Sequence, residues 1–423
     1  MNFRVEQYLH PVASSMERSK ILQILAEVRV LQSKGIEVCN LTIGDFDPKQ
    51  FPIPTGFAQQ VAQSYARNET SYPPSSGVLS LREAISDIYC NELGVPCSAD
   101  NICVASGARP PIYATWRLFV GAGEKTVSFL PAWNIGYYAH LNQSNHLFLP
   151  TSAQSNFHPT VAQVREVLPS TKLIILNTPL NPTGTMIDKE VLRDICWAIV
   201  EENQKRKERP VMLLFDQVYW MLCHGSNVHH TPSDLVPEVA PYVIYVDAMS
   251  KNFTGTGLRV GWAVVPQAIQ AKMTTLIAHM GAWASRPEQE ASAWILREKE
   301  KRVSYVQNLN KGVHTRLLCL YQGFTHLQEK GYPIEVIPPQ GAIYLSLRIN
   351  LIGRGFTSNE EIRVWLLQEV QIAAVPFQAF DMKEESGWFR LSVGTATVET
   401  LEHALVRLEQ SMHKLGVCDE SSV

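Results

Sequence analysis

Residues 247–262 have the sequence DAMSKNFTGTGLRVGW and separate two apolar runs, residues 242–246 and 260–265. A lysine at the end of a buried strand loses water, and this desolvation penalises its charged form and lowers its pKa. Lys251 is therefore a plausible amine nucleophile. Arg259 follows two glycines that allow a tight turn, so its guanidinium could hold an anion near that amine. Together the two suggest a carbonyl-bearing phosphate held as a Schiff base. The stretch fits equally a lysine that extends to solvent and an arginine that pairs with a surface acid.

Short runs of strand-forming residues alternate with helix-length segments on both sides of this stretch. Several runs are continuously apolar, which is typical of parallel strands buried on both faces. The pattern predicts an α/β fold with a mostly parallel seven-stranded sheet sandwiched by helices. The predicted strands are residues 102–105, 125–130, 146–149, 172–176, 211–215, 242–246 and 258–265.

The two ends of the chain predict a smaller α+β domain. Residues 15–34 have the apolar spacing of an amphipathic helix, and a short strand then ends at Gly44, where either a ligand approaches the backbone or the chain simply turns. A long helix is predicted over residues 289–321, with a solvated charged face in which Glu298 pairs with Arg302. Further strands are predicted at residues 334–337, 342–347 and 388–393.

These patterns divide the chain into three segments. We expect residues 1–50 to join the small domain, residues 51–288 to form the large domain that carries the site, and residues 289–423 to complete the small domain.

Composition excludes several classes of function. The chain has 423 residues, a formal net charge of -3 and 45% hydrophobic residues, so it has no general attraction to nucleic acid or to anionic membranes. Its eight cysteines form no CxxC pair, which argues against zinc and disulfide frameworks and favours a reducing compartment. Residues 1–11 lack the apolar segment of a signal peptide. We expect a soluble, unprocessed cytoplasmic protein.

In open α/β sheets ligands bind at the carboxyl ends of the strands, so the residues after each run are the candidates for chemistry. Residues 106–110, SGARP, begin a helix whose free N–H groups suit a phosphate. Trp133 could stack on a flat ring or simply pack against its neighbours. Asn181 lies between prolines that fix its amide, and Asp216 and Tyr219 follow the next strand. A buried carboxylate such as Asp216 needs a partner, which a pyridinium nitrogen would provide.

The ordered motifs resemble those of the class I/II aminotransferase family of fold-type I pyridoxal-phosphate enzymes, which includes aspartate and aromatic aminotransferases. The resemblance covers nearly the whole chain. It is carried by YPPSSG at residues 72–77, NPTG at 181–184, DQVY at 216–219, SK at 250–251 with Arg259, and FRLS at 389–392.

The resemblance implies roles for the candidate residues toward pyridoxal 5′-phosphate. Lys251 would hold the cofactor as a Schiff base and move the proton between the substrate Cα and the cofactor C4′. Asp216 would pair with the pyridine nitrogen, which makes these two and Tyr219 the catalytic group. The remaining cofactor contacts would come from Tyr219 and Asn181 at the phenolic oxygen, Trp133 on the ring, and Gly107, Ala108, Arg109, Ser250 and Arg259 around the phosphate.

The resemblance also implies how the substrate binds and how the protein assembles. Arg390 would bind the substrate α-carboxylate, assisted by Asn181 and the Gly44 backbone, beside Trp133. Tyr72 matches a tyrosine that reaches the phosphate of the neighbouring subunit, so a homodimer with shared active sites is implied.

Two positions depart from the family pattern. Ala248 stands where the family often has a serine, which removes a possible phosphate hydroxyl. Arg109 stands where one branch has a lysine that binds the distal carboxylate of the substrate, so its guanidinium could do the same. It could equally stay outside the pocket while its backbone serves the phosphate. Separately, the histidines at 224, 229 and 230 could bind a metal, but a loop of exposed histidines is the preferred interpretation and no metal is expected.

The preferred function is transamination between an L-amino acid and a 2-oxo acid, with dicarboxylic donors such as aspartate or glutamate favoured and aromatic donors possible. One alternative is a pyridoxal-phosphate-dependent lyase or synthase that diverts the same carbanion. Another is a regulatory protein that binds the cofactor without turnover, although no basic DNA-binding extension precedes residue 15.

Overall fold

The structure, a computed structural model, describes residues 8–417. The expectations for residues 1–7 and for Cys418 lie outside this range, as do the outermost parts of the two terminal segments. None of the helices in residues 8–417 combines the length and the apolar character that a bilayer-spanning helix needs.

Thirteen strands occur in the described range. In chain order they are β1 (Cys39–Asn40), β2 (Ile102–Ala105), β3 (Lys125–Phe129), β4 (Asn145–Leu149), β5 (Thr171–Asn177), β6 (Met212–Asp216), β7 (Val243–Ala248), β8 (Gly261–Val264), β9 (Ile334–Val336), β10 (Tyr344–Ile349), β11 (Ile372–Ala373), β12 (Val375–Pro376) and β13 (Trp388–Ser392).

The α-helices of residues 8–417 connect and cover these strands. They are α1 (Pro11–Ser14), α2 (Lys20–Ser33), α3 (Phe57–Ala66), α4 (Leu79–Glu92), α5 (Arg109–Phe119), α6 (Ile135–Asn142), α7 (Val161–Val167), α8 (Lys189–Lys205), α9 (Pro232–Leu235), α10 (Met249–Asn252), α11 (Gln267–His279), α12 (Arg286–Arg297), α13 (Lys299–Glu329), α14 (Asn359–Gln368) and α15 (Val398–Lys414). The predicted N-terminal helix thus begins at Lys20 rather than at residue 15.

The central sheet contains seven of the described strands in the order β2-β8-β7-β6-β5-β3-β4. Neighbouring strands are parallel except that β8 is antiparallel to both β2 and β7. Each of the seven predicted runs supplies one of these strands, so the predicted α/β architecture is confirmed.

The continuous apolar runs are explained by burial on both faces of the sheet. On β5, Ile174 and Leu176 join one core cluster together with residues of α4, α8 and α12. The alternate residues Leu173 and Ile175 join a second cluster with residues of α5 and α11. Helices therefore cover both sides of the sheet, and its strand ends remain available for a site.

The C-terminal part forms a second sheet in the order β12-β13-β10-β9, with antiparallel neighbours. Helices α13 and α15 pack with it in a separate hydrophobic cluster. The N-terminal part joins this half of the molecule, because β1 pairs in parallel with β11 and the Ser392 N–H donates to the Leu41 carbonyl at 2.8 Å.

The long helix predicted over residues 289–321 is two helices. Residues 297–301 are exposed, as predicted for the charged face, but the predicted pairing of Glu298 with Arg302 is wrong. The chain leaves helical geometry at Glu298, with ψ at 72°, between α12 and α13. Glu298 pairs with Lys301 at 2.9 Å. Arg302 is only 4% exposed and donates through Nη1 to Glu92 at 2.9 Å, because it lies against the end of α4 rather than in solvent.

Candidate active site

A cavity of about 770 Å³ lies where the carboxyl ends of β5, β6 and β7 face the second sheet. This volume is within the range of small-molecule sites. Among the residues singled out from the sequence, the structure brings eleven together on its walls: Gly44, Ala108, Arg109, Trp133, Asn181, Asp216, Tyr219, Ser250, Lys251, Arg259 and Arg390.

Lys251 lies on the short helix α10, directly after β7. Burial lowers the pKa of its amine to about 8; Asp45 opposes this shift, and Arg390, Arg109 and Arg259 add to it. The Nζ atom donates a hydrogen bond to the carbonyl of Gly44. An amine with this pKa is partly neutral near pH 7, as a nucleophile or a general base requires.

Asp216 ends β6 and is 7% exposed. Burial raises the pKa of its carboxyl to about 6, against the smaller opposing effects of the Val218 N–H, which donates to Oδ1 at 3.2 Å, and of Lys251. The Asn177 amide fixes the strand end by donating to the Asp216 carbonyl at 2.9 Å. A carboxylate in this setting favours a cationic partner inside the cavity.

Tyr219 contacts a residue that the sequence interpretation missed. Its hydroxyl lies 2.6 Å from the hydroxyl of Tyr344, and both side chains are buried. Burial raises the pKa of both phenols. Tyr344 also explains Gly44, since a Cβ added to Gly44 would lie 2.5 Å from the Tyr344 hydroxyl. No motif indicated Tyr344; the only available signal was a phenol at the start of a predicted strand.

Arg390 on β13 is almost completely buried, with 1% exposure. Its Nη1 donates to Asn181 Oδ1 at 3.1 Å and its Nη2 to the carbonyl of Thr42. The guanidinium carbon lies 4.7 Å and 4.9 Å from the ring centroids of Tyr344 and Phe380. Burial lowers its pKa, and Nε makes no hydrogen bond within residues 8–417. Its hydrogen-bond acceptors here are neutral, so an anion would complete its coordination.

A backbone cradle lies at the start of α5. Gly107 has a φ of +92°, and a Cβ there would lie 2.3 Å from Nη2 of Arg259. Arg259 is held by the carbonyls of Ser106 at 3.0 Å and Thr256 at 2.7 Å. Ser250 lines the same side of the cavity. Free helix N–H groups, a hydroxyl and a guanidinium at one place are chemically suited to an anion such as a phosphate.

The aromatic and cationic side chains of the cavity wall lie together. The guanidinium carbon of Arg109 is 5.0 Å from the ring centroid of Trp133, and both residues line the cavity. Arg109 is exposed and Trp133 half-buried. Burial raises the pKa of the nearby Tyr138 to about 12, so its phenol stays neutral.

Two further predicted residues lie outside the cavity wall. Gly107 is buried behind Ala108 in the cradle. Tyr72 is 83% exposed, and its ring centroid lies 5.4 Å from that of Trp283. Within its own chain Tyr72 is therefore on the surface.

Asp45 is another residue that the sequence interpretation did not single out. Its Oδ1 accepts a hydrogen bond from Thr256 Oγ1 at 2.8 Å, which connects the turn after Gly44 to the turn before Arg259. Its charge also stabilises the protonated Lys251 amine. The available signal was its position directly after Gly44.

The preferred interpretation of residues 224–230 as a loop of exposed histidines is wrong. His224 is 2% exposed, stacks on His314 at 5.3 Å, and its Nε2 lies 2.7 Å from the Ala342 carbonyl. The ring of His229 lies 5.9 Å from that of Phe215. Both histidine rings therefore pack against aromatic neighbours and do not extend into solvent. A search of residues 8–417 finds no group of three or more His, Cys, Asp or Glu side chains that could hold a metal.

Comparison with known proteins agrees with this geometry. The sequence model of the family described as "Aminotransferase class I and II" matches residues 36–408. An aspartate aminotransferase of Bacillus sp. (strain YM-2) is 25% identical over 397 residues, covering 93% of this chain and 96% of the relative. Among solved structures, Thermus thermophilus aspartate aminotransferase with maleate is similar at a TM-score of 0.85, with 23% identity and coverage of 95% of this chain and 99% of that one. An aromatic aminotransferase from Pyrococcus horikoshii is similar at 0.81, with 25% identity and coverage of 93% and 100%.

Proposed function

The chain belongs to the class I and II aminotransferase family and is an aminotransferase, and from this premise we propose that it uses pyridoxal 5′-phosphate to move an amino group from an L-amino acid to a 2-oxo acid. The observation that carries the proposal is the convergence of the Lys251 amine, the buried Asp216 carboxylate and the buried Arg390 guanidinium on one cavity.

The residues present fit this cofactor. The cradle of Gly107, Ala108 and Arg109 amides with Ser250 and Arg259 suits its phosphate, and the absence of a Cβ at Gly107 gives Arg259 its place. Asp216 would hold the pyridine nitrogen as a cation, which offsets the burial of its own charge. Trp133 would cover the ring, Asn181 and Tyr219 would bind the phenolic oxygen, and Lys251 would hold the aldehyde carbon.

When bound, the cofactor supplies an electron-withdrawing ring that spreads the negative charge left on the substrate Cα. The chain supplies the rest. Arg390 binds the α-carboxylate and, with Asn181 and the Gly44 backbone, orients the Cα–H bond toward Lys251. Lys251 would take the proton from the substrate Cα and deliver it at the cofactor C4′, a task suited to an amine whose pKa is lowered to about 8. Asp216 keeps the ring nitrogen protonated.

The proposed donors are dicarboxylic amino acids, with aromatic donors also accepted. Arg109 supports the first class, because a guanidinium at the cavity wall can bind a second carboxylate through two hydrogen bonds. Trp133, Tyr137 and Tyr138 line the same cavity and offer apolar surface to an aromatic ring. The compared proteins bear names of both kinds, aspartate and aromatic aminotransferases.

We also propose a homodimer in which Tyr72 reaches the phosphate of the second copy, since its ring is exposed and Tyr72 does not line the cavity of its own chain. The proposed large domain, residues 51–288, is supported by the clusters on the two faces of the central sheet. Residues 1–50 and 289–423 would form the small domain around the second sheet. The free cysteines of residues 8–417 support a reducing, cytoplasmic location.

Borohydride reduction of the cofactor-loaded protein tests the proposal directly. We expect a pyridoxyl group on the peptide that contains Lys251, and none there in the Lys251→Arg variant. A tag on another lysine, or none with cofactor supplied, would refute the assignment.

Product analysis separates the reaction classes. We expect the amino group to appear on the added 2-oxo acid. Release of ammonia without that acceptor would mean a lyase, and stoichiometric cofactor binding without turnover on a broad donor panel would mean a regulatory protein.

A further inference from the structure

Two cysteines lie together at the end of α4, and neither lines the cavity described above. The Cys90 Sγ atom is 3.1 Å from the Cys97 carbonyl oxygen and 3.4 Å from the Cys97 backbone nitrogen. Cys90 is exposed and Cys97 is half-buried. Cys90 also contributes to the raised pKa of Cys97, as expected for two thiols that lie close together. The rotamer of the Cys90 side chain therefore determines the distance between the two sulfur atoms.

The fold holds this arrangement in place. Gly94 turns the chain after α4 with a φ of +62°, and a Cβ there would lie 2.3 Å from Asp234. The Val95 N–H then donates to the Tyr89 carbonyl at 2.9 Å. Ser86 Oγ donates to the Cys97 carbonyl at 2.9 Å. These contacts return Cys97 to the last turns of α4, beside Cys90.

We propose that Cys90 and Cys97 form a dithiol site that reacts with low-molecular-weight disulfides such as glutathione disulfide and closes into an intramolecular disulfide bond. The site is independent of the proposed transamination, because neither cysteine lines the catalytic cavity.

The exchange proceeds in two balanced steps. The Cys90 thiolate attacks one sulfur of glutathione disulfide, forms a mixed disulfide and releases one glutathione thiolate. The Cys97 thiolate then attacks the Cys90 sulfur, which forms the Cys90–Cys97 bond and releases the second glutathione. The protein dithiol loses two electrons and two protons, and glutathione disulfide gains them as two glutathione molecules.

Exposure determines the order of these steps. Cys90 is open to solvent and meets the reagent first. Burial, with a smaller contribution from Cys90, raises the pKa of Cys97 to about 12, so Cys97 reacts poorly with reagents from solution. It needs no encounter with solvent reagents, since the mixed disulfide forms next to it.

The other described cysteines lack this combination of exposure and proximity. Cys103 and Cys196 are buried. Cys319 contributes to the raised pKa of Cys39, but Cys39 is fully buried. Cys223 is half-buried, and its thiol donates to the Trp220 carbonyl at 3.2 Å. Cys319→Ser is therefore a suitable control, because it removes a half-buried thiol that lies outside the Cys90–Cys97 pair.

The test is incubation of the full-length holoprotein with glutathione disulfide, followed by intact mass measurement and peptide mapping. We expect the wild type and Cys319→Ser to lose two hydrogen atoms in mass and to yield a linked Cys90–Cys97 peptide. Cys97→Ser should stop at a stable glutathione adduct on Cys90. Cys90→Ser should give neither the adduct nor the link.

The oxidised wild type should melt at a higher temperature than the reduced form, since the bond removes freedom from the unfolded loop, and its transaminase activity should be unchanged. A stable glutathione adduct on wild-type Cys90, or a wild-type Cys90 that stays unmodified, would overturn the proposal.

Discussion

The proposed preference for dicarboxylic donors rests on the Arg109 side chain. Its guanidinium lies at the cavity wall against Trp133, where it can bind a distal carboxylate but gives little to an apolar side chain. We expect Arg109→Ala to lower kcat/KM for aspartate and glutamate by roughly 10-fold to 100-fold, the value of a lost charged hydrogen bond. Activity on phenylalanine and alanine should change little.

Arg117→Ala is the matched control for this variant, because Arg117 is on the same helix but donates to Asn142 at 3.1 Å. It should leave all four donors unaffected. Equal losses across donors in Arg109→Ala would remove Arg109 as a selectivity residue.

We expect the ionised Asp216 carboxylate to lower the stability of the cofactor-free protein, although transamination requires it. Its pKa is raised from 3.8 to about 6, so the folded state binds the proton more tightly than the unfolded state. The ionised carboxylate therefore destabilises the cofactor-free protein above about pH 6, by on the order of 2 to 3 kcal/mol, and this penalty disappears as the pH falls toward about 4.

Asp216→Asn should accordingly unfold at higher denaturant concentration than the wild type at about pH 7.5, with the difference gone at about pH 4. Both proteins would be measured without cofactor, and transamination by the loaded variant should be severely reduced. The same difference at both pH values would contradict the burial of an ionised carboxylate.

The sequence was sufficient to find side chains that follow strands or stand in motifs, such as Lys251 and Arg390. It was insufficient for Tyr344 and Asp45. Tyr344 reaches the site from a different sheet, and its contact with Tyr219 joins residues 125 positions apart. Local patterns contain no information on such a contact, since it depends on how the two sheets are placed.

At the level of elements, the start of α5 depends on a glycine. Gly107→Ala would place a Cβ 2.3 Å from Arg259 Nη2 and would keep a φ of +92°. Gly123→Ala is the matched control, since its φ is +75° but nothing lies within 4 Å of the added atom. We expect Gly107→Ala to weaken cofactor binding roughly 10-fold or more by displacing the Arg259 guanidinium, which we propose binds the phosphate.

Fluorescence titration of the cofactor-free proteins would measure both affinities. Gly123→Ala should bind the cofactor as the wild type does, while losing some stability through its strained backbone. Unaltered cofactor affinity in Gly107→Ala would mean that Arg259 does not hold the phosphate.

Strands were easier to predict than helix ends. Several strands of the central sheet, such as β6 and β7, are buried at every position and largely apolar, so their sequence signal is strong. The break at Glu298 has no glycine or proline, and charged residues on both sides suit a continuous helix. In the structure the break is accompanied by the packing of Arg302 against Glu92. This contact joins two helices that are distant in sequence, so local patterns do not indicate it.

For the molecule as a whole, the exposure of Tyr72 predicts complementation between subunits. In a dimer of one Lys251→Ala chain and one Tyr72→Phe chain, one site combines both defects and the other has neither. We expect co-expressed, purified heterodimers to have about half the wild-type activity, with wild-type cofactor affinity at the intact site.

Each variant alone serves as its own control: Lys251→Ala should be inactive and Tyr72→Phe should bind cofactor weakly. If Tyr72 acted within its own chain, no heterodimer site would be intact, and heterodimers would show only the weak binding of the Tyr72→Phe chain.

The architecture as a whole was predictable because alternation of strands and helices leaves few topologies. The contact between the N-terminal and C-terminal parts of the chain was only partly predictable. The pairing of β1 with β11 joins residues more than three hundred positions apart through two residues in each strand, too short a pattern to predict from sequence.

The burial of Arg390 beside two aromatic rings has a consequence for which small molecules bind poorly. The guanidinium is already desolvated in the folded protein, and within residues 8–417 it contacts only neutral groups. A primary amine that lacks an adjacent carboxylate would occupy the cavity and leave the desolvated Arg390 cation without a counter-charge. Decarboxylated amines in the surrounding medium should therefore be poor competitors, however well their remaining atoms fit.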